Sequence, residues 1–282
     1  MIQTHEAQFK VQLMCRVMNV SPSGYYDWRE RGPSTRTQAR TQLDAQVKQA
    51  FIVEKGRIGA LRVTRRLKTQ GHRAGHNQVA QSLRRQGLRA KGARKYKATT
   101  NSNHSLPVAP NILQQDFSAA HCNQKWVSDI TYLATDEGWL YLAVVLDLYS
   151  RKVVGWSMSQ RMTARLVCDA LTMASFRRHR PTGVIVHSDR GSQYCSHEYQ
   201  QLLREHGLIC SMSKRGDCYD NAAMESWNHS LKVEAIHGER FVTREQAKAQ
   251  VFDYIEVYYN RQRLHSTLGY LSPAEFEAAK VA

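Results

Sequence analysis

Three carboxylates stand where solubility alone does not explain a carboxylate. Asp129 interrupts the largely apolar run 126–133, where an unpaired charge is costly to bury. Asp189 follows the apolar Val184-Ile185-Val186 within His187-Ser188-Asp189-Arg190-Gly191-Ser192, so it projects from a strand end, where α/β sheets place their ligands. Glu225 lies in the segment 220–232. If that segment is a helix, Met224, Trp227 and Leu231 make its core stripe, and Glu225, Asn228/His229 and Lys232 align along an adjacent polar face. Three hard oxygen donors on a strand, a strand end and a packed helix suit Mg²⁺ or Mn²⁺, which bind carboxylates and keep waters for a phosphate. Two such ions activate an attacking oxygen and stabilise a leaving one during in-line displacement at phosphorus. Each carboxylate also has a structural alternative: Asp129 pairs with a buried arginine, Asp189 serves a turn or cap, and Glu225 decorates a helix surface. Asp147, at the end of another apolar run, competes for a place in the set, but its neighbours Tyr149-Ser150-Arg151 favour a turn role.

The elements that must position these groups are legible in the pattern. Residues 126–133 and 139–146 read as strands joined by the turn Asp136-Glu137-Gly138, and 152–158 as a third. A helix over 163–178 follows, then a strand at 183–187, a helix at 196–206, a strand at 208–212, a helix at 220–235 and a last helix at 244–259 before a loop-rich tail. This order predicts an α/β mixed five-stranded sheet with helices on both faces, and it resembles the ribonuclease H-like fold.

The chain has 282 residues, 40 Lys/Arg, 24 Asp/Glu and a net charge of +16. The first 100 residues hold 21 Lys/Arg against 5 Asp/Glu, and the remaining 182 hold 19 of each, so the whole excess lies in the first third. No acidic residue occurs between Glu54 and Asp116. A one-sign stripe of this kind repels itself unless a polyanion compensates it, and nucleic acid is the common polyanion. Its periodicity is helical over 37–53, 58–69 and 77–87, with Gly71 and Gly87 as stops. An all-α, helix-turn-helix-like unit is expected over about 38–90. Arg62, Arg65, Arg66, Arg84, Arg85, Arg94 and Lys95 are its candidate DNA contacts. Residues 15–28 read as a helix, a turn and an aromatic anchor.

The polar stretch 98–118 is expected to be a linker between a basic region, 1–97, and a catalytic core, 119–240, with 241–282 packed on that core as a helix and tail. The six cysteines are scattered without a C-x-x-C pair, which argues against a zinc ribbon, and His72 and His76 then belong to the basic surface. No apolar run approaches a membrane span and no signal-peptide pattern opens the chain, so a cytoplasmic protein is expected.

Several motifs in order carry a more specific resemblance: Trp126-Val127-Ser128-Asp129-Ile130-Thr131-Tyr132, residues 187–194 from His187 to Tyr194, and Tyr259-Asn260-Arg261-Gln262-Arg263-Leu264-His265 continuing to Tyr270. In addition, 35 residues separate Asp189 from Glu225, and Lys232 falls seven after Glu225. With Ser23-Gly24-Tyr25-Tyr26 and the basic helices, the chain resembles over nearly its whole length the larger-frame transposases of the insertion sequence three family, relatives of retroviral integrases.

That resemblance implies DNA cleavage at element ends and strand transfer. Asp129, Asp189 and Glu225 would be the catalytic metal ligands for Mg²⁺ or Mn²⁺, two ions in all, and Lys232 a DNA contact near the scissile phosphate. His187 and Asn228 are candidates for steadying the carboxylates. The implied partners are the element's terminal repeats, target DNA, further copies of the chain on DNA, and the product of an upstream overlapping frame. The histidine-cysteine zinc module of retroviral integrases is missing from the sequence, as is a sustained heptad pattern. A catalytically silent DNA-binding regulator and a ribonuclease H-type nuclease are the competing readings.

Overall fold

The computed structural model describes residues 1–92, 107–214 and 221–281. Among them no helix is long and apolar enough to cross a membrane. The basic part of the chain forms α1 (Ile2–His5), α2 (Val11–Val17), α3 (Pro22–Glu30), α4 (Thr35–Val53), α5 (Ala60–Thr69) and α6 (His76–Arg85). The first three surround a miniature core of Ile2, Cys15 and Tyr25. Ser21 caps α3 through Gly24 N–H, and Tyr25 packs on Trp28 as the expected aromatic anchor. Helices α4 to α6 share a separate core of Val47, Phe51, Val63, Leu67, Val79 and Leu83. Gly71 and Gly87 end α5 and α6 at φ +83° and +65°, a left-handed conformation that side chains with a Cβ rarely adopt.

The second part is a five-stranded mixed sheet. Its strands are β1 (Lys125–Thr135), β2 (Gly138–Asp147), β3 (Val153–Ser159), β4 (Ile185–Ser188) and β5 (Ile209–Met212), in spatial order β3-β2-β1-β4-β5. β1, β2 and β3 form an antiparallel meander, whereas β4 and β5 run parallel to β1. Alternation in β1 and β2 divides the core in two. Val127, Leu142, Val144 and Leu146 join one cluster, while Trp126, Ala143 and Val145 join the other. The second cluster is covered by α7 (Ala164–Arg177) and α8 (His197–Glu205), the first by α9 (Ala222–Leu231) and α10 (Arg244–Phe252) with the segments that follow them. β2 is therefore buried on both faces, which explains its nearly unbroken apolar sequence.

Three details depart from the sequence expectations. The helices expected to run to Ala235 and Tyr259 pass into π-helical turns, Lys232–Ile236 and Asp253–Tyr259. The supposed linker lies outside the described residues over 98–106, but 107–118 packs on the sheet. There Leu113 is buried, and Ser211 Oγ accepts from the N–H groups of Ile112 and Leu113. Finally, a helix not foreseen follows the loop-rich stretch expected over 260–273: α11 spans Pro273–Val281. Ser272 and Glu275 form a reciprocal cap at its start, with Pro273 in the first turn, a signal present in the sequence as Ser-Pro-Ala-Glu.

Candidate active site

Strand register brings two of the three carboxylates together. In the parallel pairing of β1 with β4, Val127 lies beside His187. Two residues further on are Asp129, which shares the face of Val127 because side chains alternate with period two, and Asp189, just past the end of β4 and close enough for its charge to act on Asp129. That face is the one covered by α9, whose Met224, Trp227 and Leu231 are buried in the sheet's first core cluster. The docked stripe turns the adjacent polar row of α9 toward Asp129, and Asn228 Nδ2 donates to Asp129 Oδ2 at 2.8 Å. Glu225 lies exposed in the first turn of α9.

Electrostatics reports the same gathering. Burial pushes the Asp129 carboxyl up to about 7, and the negative charges of Asp189 and, more weakly, Glu225 add to the rise. Hydrogen bonds from Ile130 N–H and Asn228 oppose it. Lys232, at the start of the π-helical turn after α9, lies with its Nζ 5.4 Å from the centre of the Tyr132 ring. Burial lowers its ammonium pKa, while Tyr132 and Asp129 favour the charged form.

The surroundings hold these groups from behind. His187 is fully buried, with Nδ1 2.9 Å from Ser211 Oγ and Nε2 3.3 Å from Ser213 Oγ. It thus ties β4 to β5 just below Asp189. The loop after Asp189 is set by Gly191 N–H donating to Asp189 Oδ1 at 2.9 Å. A Cβ on Gly191 would stand 3.0 Å from that same oxygen, so the glycine leaves room for the carboxylate. Sequence reasoning passed over Tyr194, which is buried beneath the site with its hydroxyl 3.0 Å from Ser128 Oγ. It also passed over Ser211 and Ser213. A buried serine beside a buried histidine carries no periodic signal, and only the strand pairing reveals these partners.

Asp147 belongs elsewhere. It is fully buried, accepts from the N–H groups of Asn123 and Tyr149, and lies 3.5 Å from Arg178. With Cys122 and Glu277 it forms, among the described residues, the one group of three potential ligands whose donor atoms all lie within 4.8 Å; Asp129, Asp189 and Glu225 are spread more widely. Arg178 and Lys152 neutralise that group, and the Cys122 thiol is pushed up to about 11, by burial first and then by the two carboxylates. Its two carboxylates are paired with two cations, so the cluster ties the end of β2 to α7 and α11.

The basic residues divide into two sets. Arg62 donates to Glu234, Arg66 to Glu54 and to Gln262 C=O, and the Arg65 guanidinium lies over the Tyr270 ring at 4.7 Å, so these three are turned onto the chain itself. Arg84 and Arg85 are exposed on α6, with Arg85 bridged to Asp44 at 2.6 Å. Arg94 and Lys95 lie outside the described residues. Beside the exposed set, an open groove of about 690 Å³ is lined by Arg36, Arg40, Arg73, Arg85, Gln78 and Gln81 among others. Of these, the arginines at 36, 40 and 73 were not singled out from sequence, because charge alone does not tell which face of a helix is occupied.

Comparison with known proteins gives a consistent picture. Residues 119–218 and 225–280 match integrase core domain families, and residues 38–96 match an HTH-like domain family. The chain is 56% identical to transposase InsF for insertion sequence IS3A of Escherichia coli (strain K12), an alignment covering 100% of this chain and 98% of that protein. It is 47% identical to an uncharacterized 31 kDa protein of insertion element IS600 from Shigella sonnei, covering 93% of this chain and 97% of that one. Among solved structures, it is similar to a chain of a simian T-cell lymphotropic virus intasome, with TM-score 0.46, 15% identity and coverage of 81% and 73%. It is also similar to the HTLV-2 integrase catalytic core domain in complex with magnesium, with TM-score 0.41, 14% identity and coverage of 57% and 99%.

Proposed function

Because the chain belongs to the transposases of the insertion sequence IS3 family, we propose that Asp129, Asp189 and Glu225 are its catalytic carboxylates and that they bind divalent metal for cutting and joining DNA. The observation that carries this reading is the parallel register of β1 beside β4, which leaves Asp129 and Asp189 each two residues beyond the pair Val127–His187 and close enough to repel, with α9 holding Asp129 through Asn228. The donor set fits Mg²⁺ or Mn²⁺. All three donors are hard carboxylates, and burial first, then repulsion by Asp189 and Glu225, raises the Asp129 pKa, a penalty on its charge that a divalent cation relieves. When bound, such ions, two in this reading, activate the attacking water or 3′-hydroxyl and offset charge on the leaving oxygen.

The chain's own residues do the rest. Asn228 and Gly191 N–H orient one carboxylate each, His187 fixes the β4 end between two serine hydroxyls, and Lys232 supplies a cation for a phosphate oxygen. Neither the carboxylates nor Lys232 needs to form a bond to DNA, so cleavage and strand transfer proceed by direct displacement at phosphorus without a protein–DNA intermediate. The helices α4 to α6 hold element DNA through the exposed face that includes Arg40, Arg73, Arg84 and Arg85 beside the open groove. Target DNA and further copies of the chain complete the assembly, since chemistry at two element ends requires two sites.

Joining of a labelled element end to a plasmid in Mg²⁺ tests the assignment. Asp129→Asn, Asp189→Asn and Glu225→Gln should each lower both cut and joined product by more than about 100-fold, since even the residues behind metal ligands are worth roughly 10- to 100-fold. Near-normal joining by any one of them removes that residue from the set. A wild-type chain that cuts without joining is a nuclease, and one that does neither while binding ends is a regulator.

A further inference from the structure

Two arginines of the basic part, Arg57 and Arg62, meet Arg263 of the C-terminal part at one residue, Glu234. Glu234 is 5% exposed and sits in the π-helical turn that continues α9. Arg263 grips it with Nε and Nη2, each at 2.8 Å at closest, and its Nη2 also reaches Ser230 Oγ at 3.0 Å in the last turn of α9. Tyr254 Oη donates to Glu234 at 2.9 Å. Two further arginines arrive from the helix-turn-helix-like part: Arg62 Nη1 at 3.2 Å from Glu234 Oε1, and Arg57 Nε at 3.2 Å from the Glu234 backbone carbonyl. Arg57 is itself buried, its guanidinium 4.3 Å from the centre of the Tyr258 ring.

We infer that Glu234 is a positioning residue for the helix that carries Glu225 and Asn228, and that Arg57 and Arg62 couple the DNA-binding part to the active site through it. The inference rests on the assignment of Glu225 and Asn228 to that site. Glu234 follows Glu225 by nine residues, about 13 Å along a helix at roughly 1.5 Å per residue, so it acts at a distance from the reacting phosphate. What it controls is placement. A π-helical turn is a less regular continuation of an α-helix and needs outside contacts to persist. Here those contacts are a buried carboxylate shared by two guanidinium groups and a phenol, a charge-assisted arrangement with defined geometry. Arg263 and Tyr254 come from the same domain as α9, whereas Arg57 and Arg62 come from the part that grips DNA. Displacing the helix-turn-helix-like part therefore removes two of the contacts holding the end of the catalytic helix. This also accounts for Tyr259 to His265, whose Arg263 is the main grip and whose Tyr259 and His265 rings pack edge to face 4.9 Å apart beside it.

The test compares Arg62→Gln with Arg84→Gln in the full chain. Strand transfer from a pre-cut element end is measured across DNA and salt concentrations, with hydrogen exchange followed at residues 222–236 and at 125–147. Arg62→Gln should lower kcat about 10- to 100-fold, the effect expected of a misplacement near 1 Å, with KM and the salt slope unchanged. Exchange should quicken at 222–236 and stay the same at 125–147. Arg84→Gln should raise KM and reduce the salt slope by about one, with kcat and exchange unchanged. Arg62→Lys should recover part of the lost kcat. The coupling is overturned if Arg62→Gln behaves like Arg84→Gln, or if exchange at 222–236 does not change. Glu234→Gln provides a second route: because it also loses Arg263 and Tyr254, its exchange effect at 222–236 must be at least as large as that of Arg62→Gln, and Arg62→Gln must add little to it in the double variant. The exchange measurement stands whatever becomes of the carboxylate assignment, whose failure would show instead as full activity in Glu225→Gln.

Discussion

Removing a carboxylate from the site should stabilise the metal-free protein. Asp129 has its acid pKa raised to about 7 in the fold, mainly by burial and then by Asp189 and Glu225. An acid whose pKa rises on folding makes folding less favourable wherever the unfolded group is charged. That penalty is absent below the ordinary value near 4, grows between there and about 7, and is constant above. A shift of this size corresponds to about 4 kcal/mol at most, and because the side chain is half-buried and screened, about 1–3 kcal/mol is the expected penalty. In Asp129→Asn the amide keeps an oxygen for Asn228 and loses the charge. At pH 8 with EDTA its Tm should exceed the wild-type value by roughly 2–12 °C, scaling from about 2–4 °C per kcal/mol for chains of this size. The gap should narrow steadily from pH 7 toward pH 4. Adding Mg²⁺ should raise the wild-type Tm and leave Asp129→Asn nearly unmoved, reversing the order. Thermal unfolding followed by fluorescence at a fixed scan rate measures all of this. A variant less stable than wild type at pH 8 without metal, or equal Mg²⁺ stabilisation of both proteins, would refute the argument that repelling carboxylates are held ready for a cation.

Other consequences are independent of that experiment. Gly155 on β3 meets α7 so closely that a Cβ would stand 2.2 Å from Ala170 C=O and 2.7 Å from Ala174 N. Gly155→Ala should therefore cost about 3 kcal/mol or more and lower Tm by at least roughly 6 °C; an unchanged Tm would show that α7 can shift freely. Glu277 is held down to about 2: burial pushes its carboxyl up, but hydrogen bonds from Arg178, Lys152 and Ser150 outweigh it. Its contribution is present above the ordinary glutamate range and lost as pH falls from about 4.5 toward 2. Glu277→Gln should thus be less stable at neutral pH by about 1–3 kcal/mol after allowance for solvent screening, with the difference closing in acid. Equal acid-unfolding curves would contradict this. Binding of element DNA with about 6–10 phosphate contacts should weaken roughly 10³- to 10⁵-fold between about 50 and 200 mM salt, and salt-insensitive affinity would exclude electrostatic docking.

How much of this was legible in the sequence follows from what local pattern encodes. Period-two and helical patterning located all five strands and the stripe Met224, Trp227, Leu231, and a mid-strand Asp129 was conspicuous because burial of a charge is costly. The segregation of positive charge into the first third was a matter of counting. The cap that starts α11 was also present and was overlooked among the loop signals around it.

What only the tertiary structure decided are relations between distant residues. The nearness of Asp129 to Asp189 depends on β1 lying beside β4 in one register, since a slip of one residue would send a carboxylate to the opposite face. The separation of Asp147 from the site depends on Arg178 and Glu277, remote in sequence. The arginines show the division best. Arg62 and Arg84 are equivalent by charge and helical setting, yet one closes on a carboxylate 172 positions away and the other faces solvent. A side chain's charge is fixed by the sequence, but the field in which that charge acts is made by whichever segments fold against it.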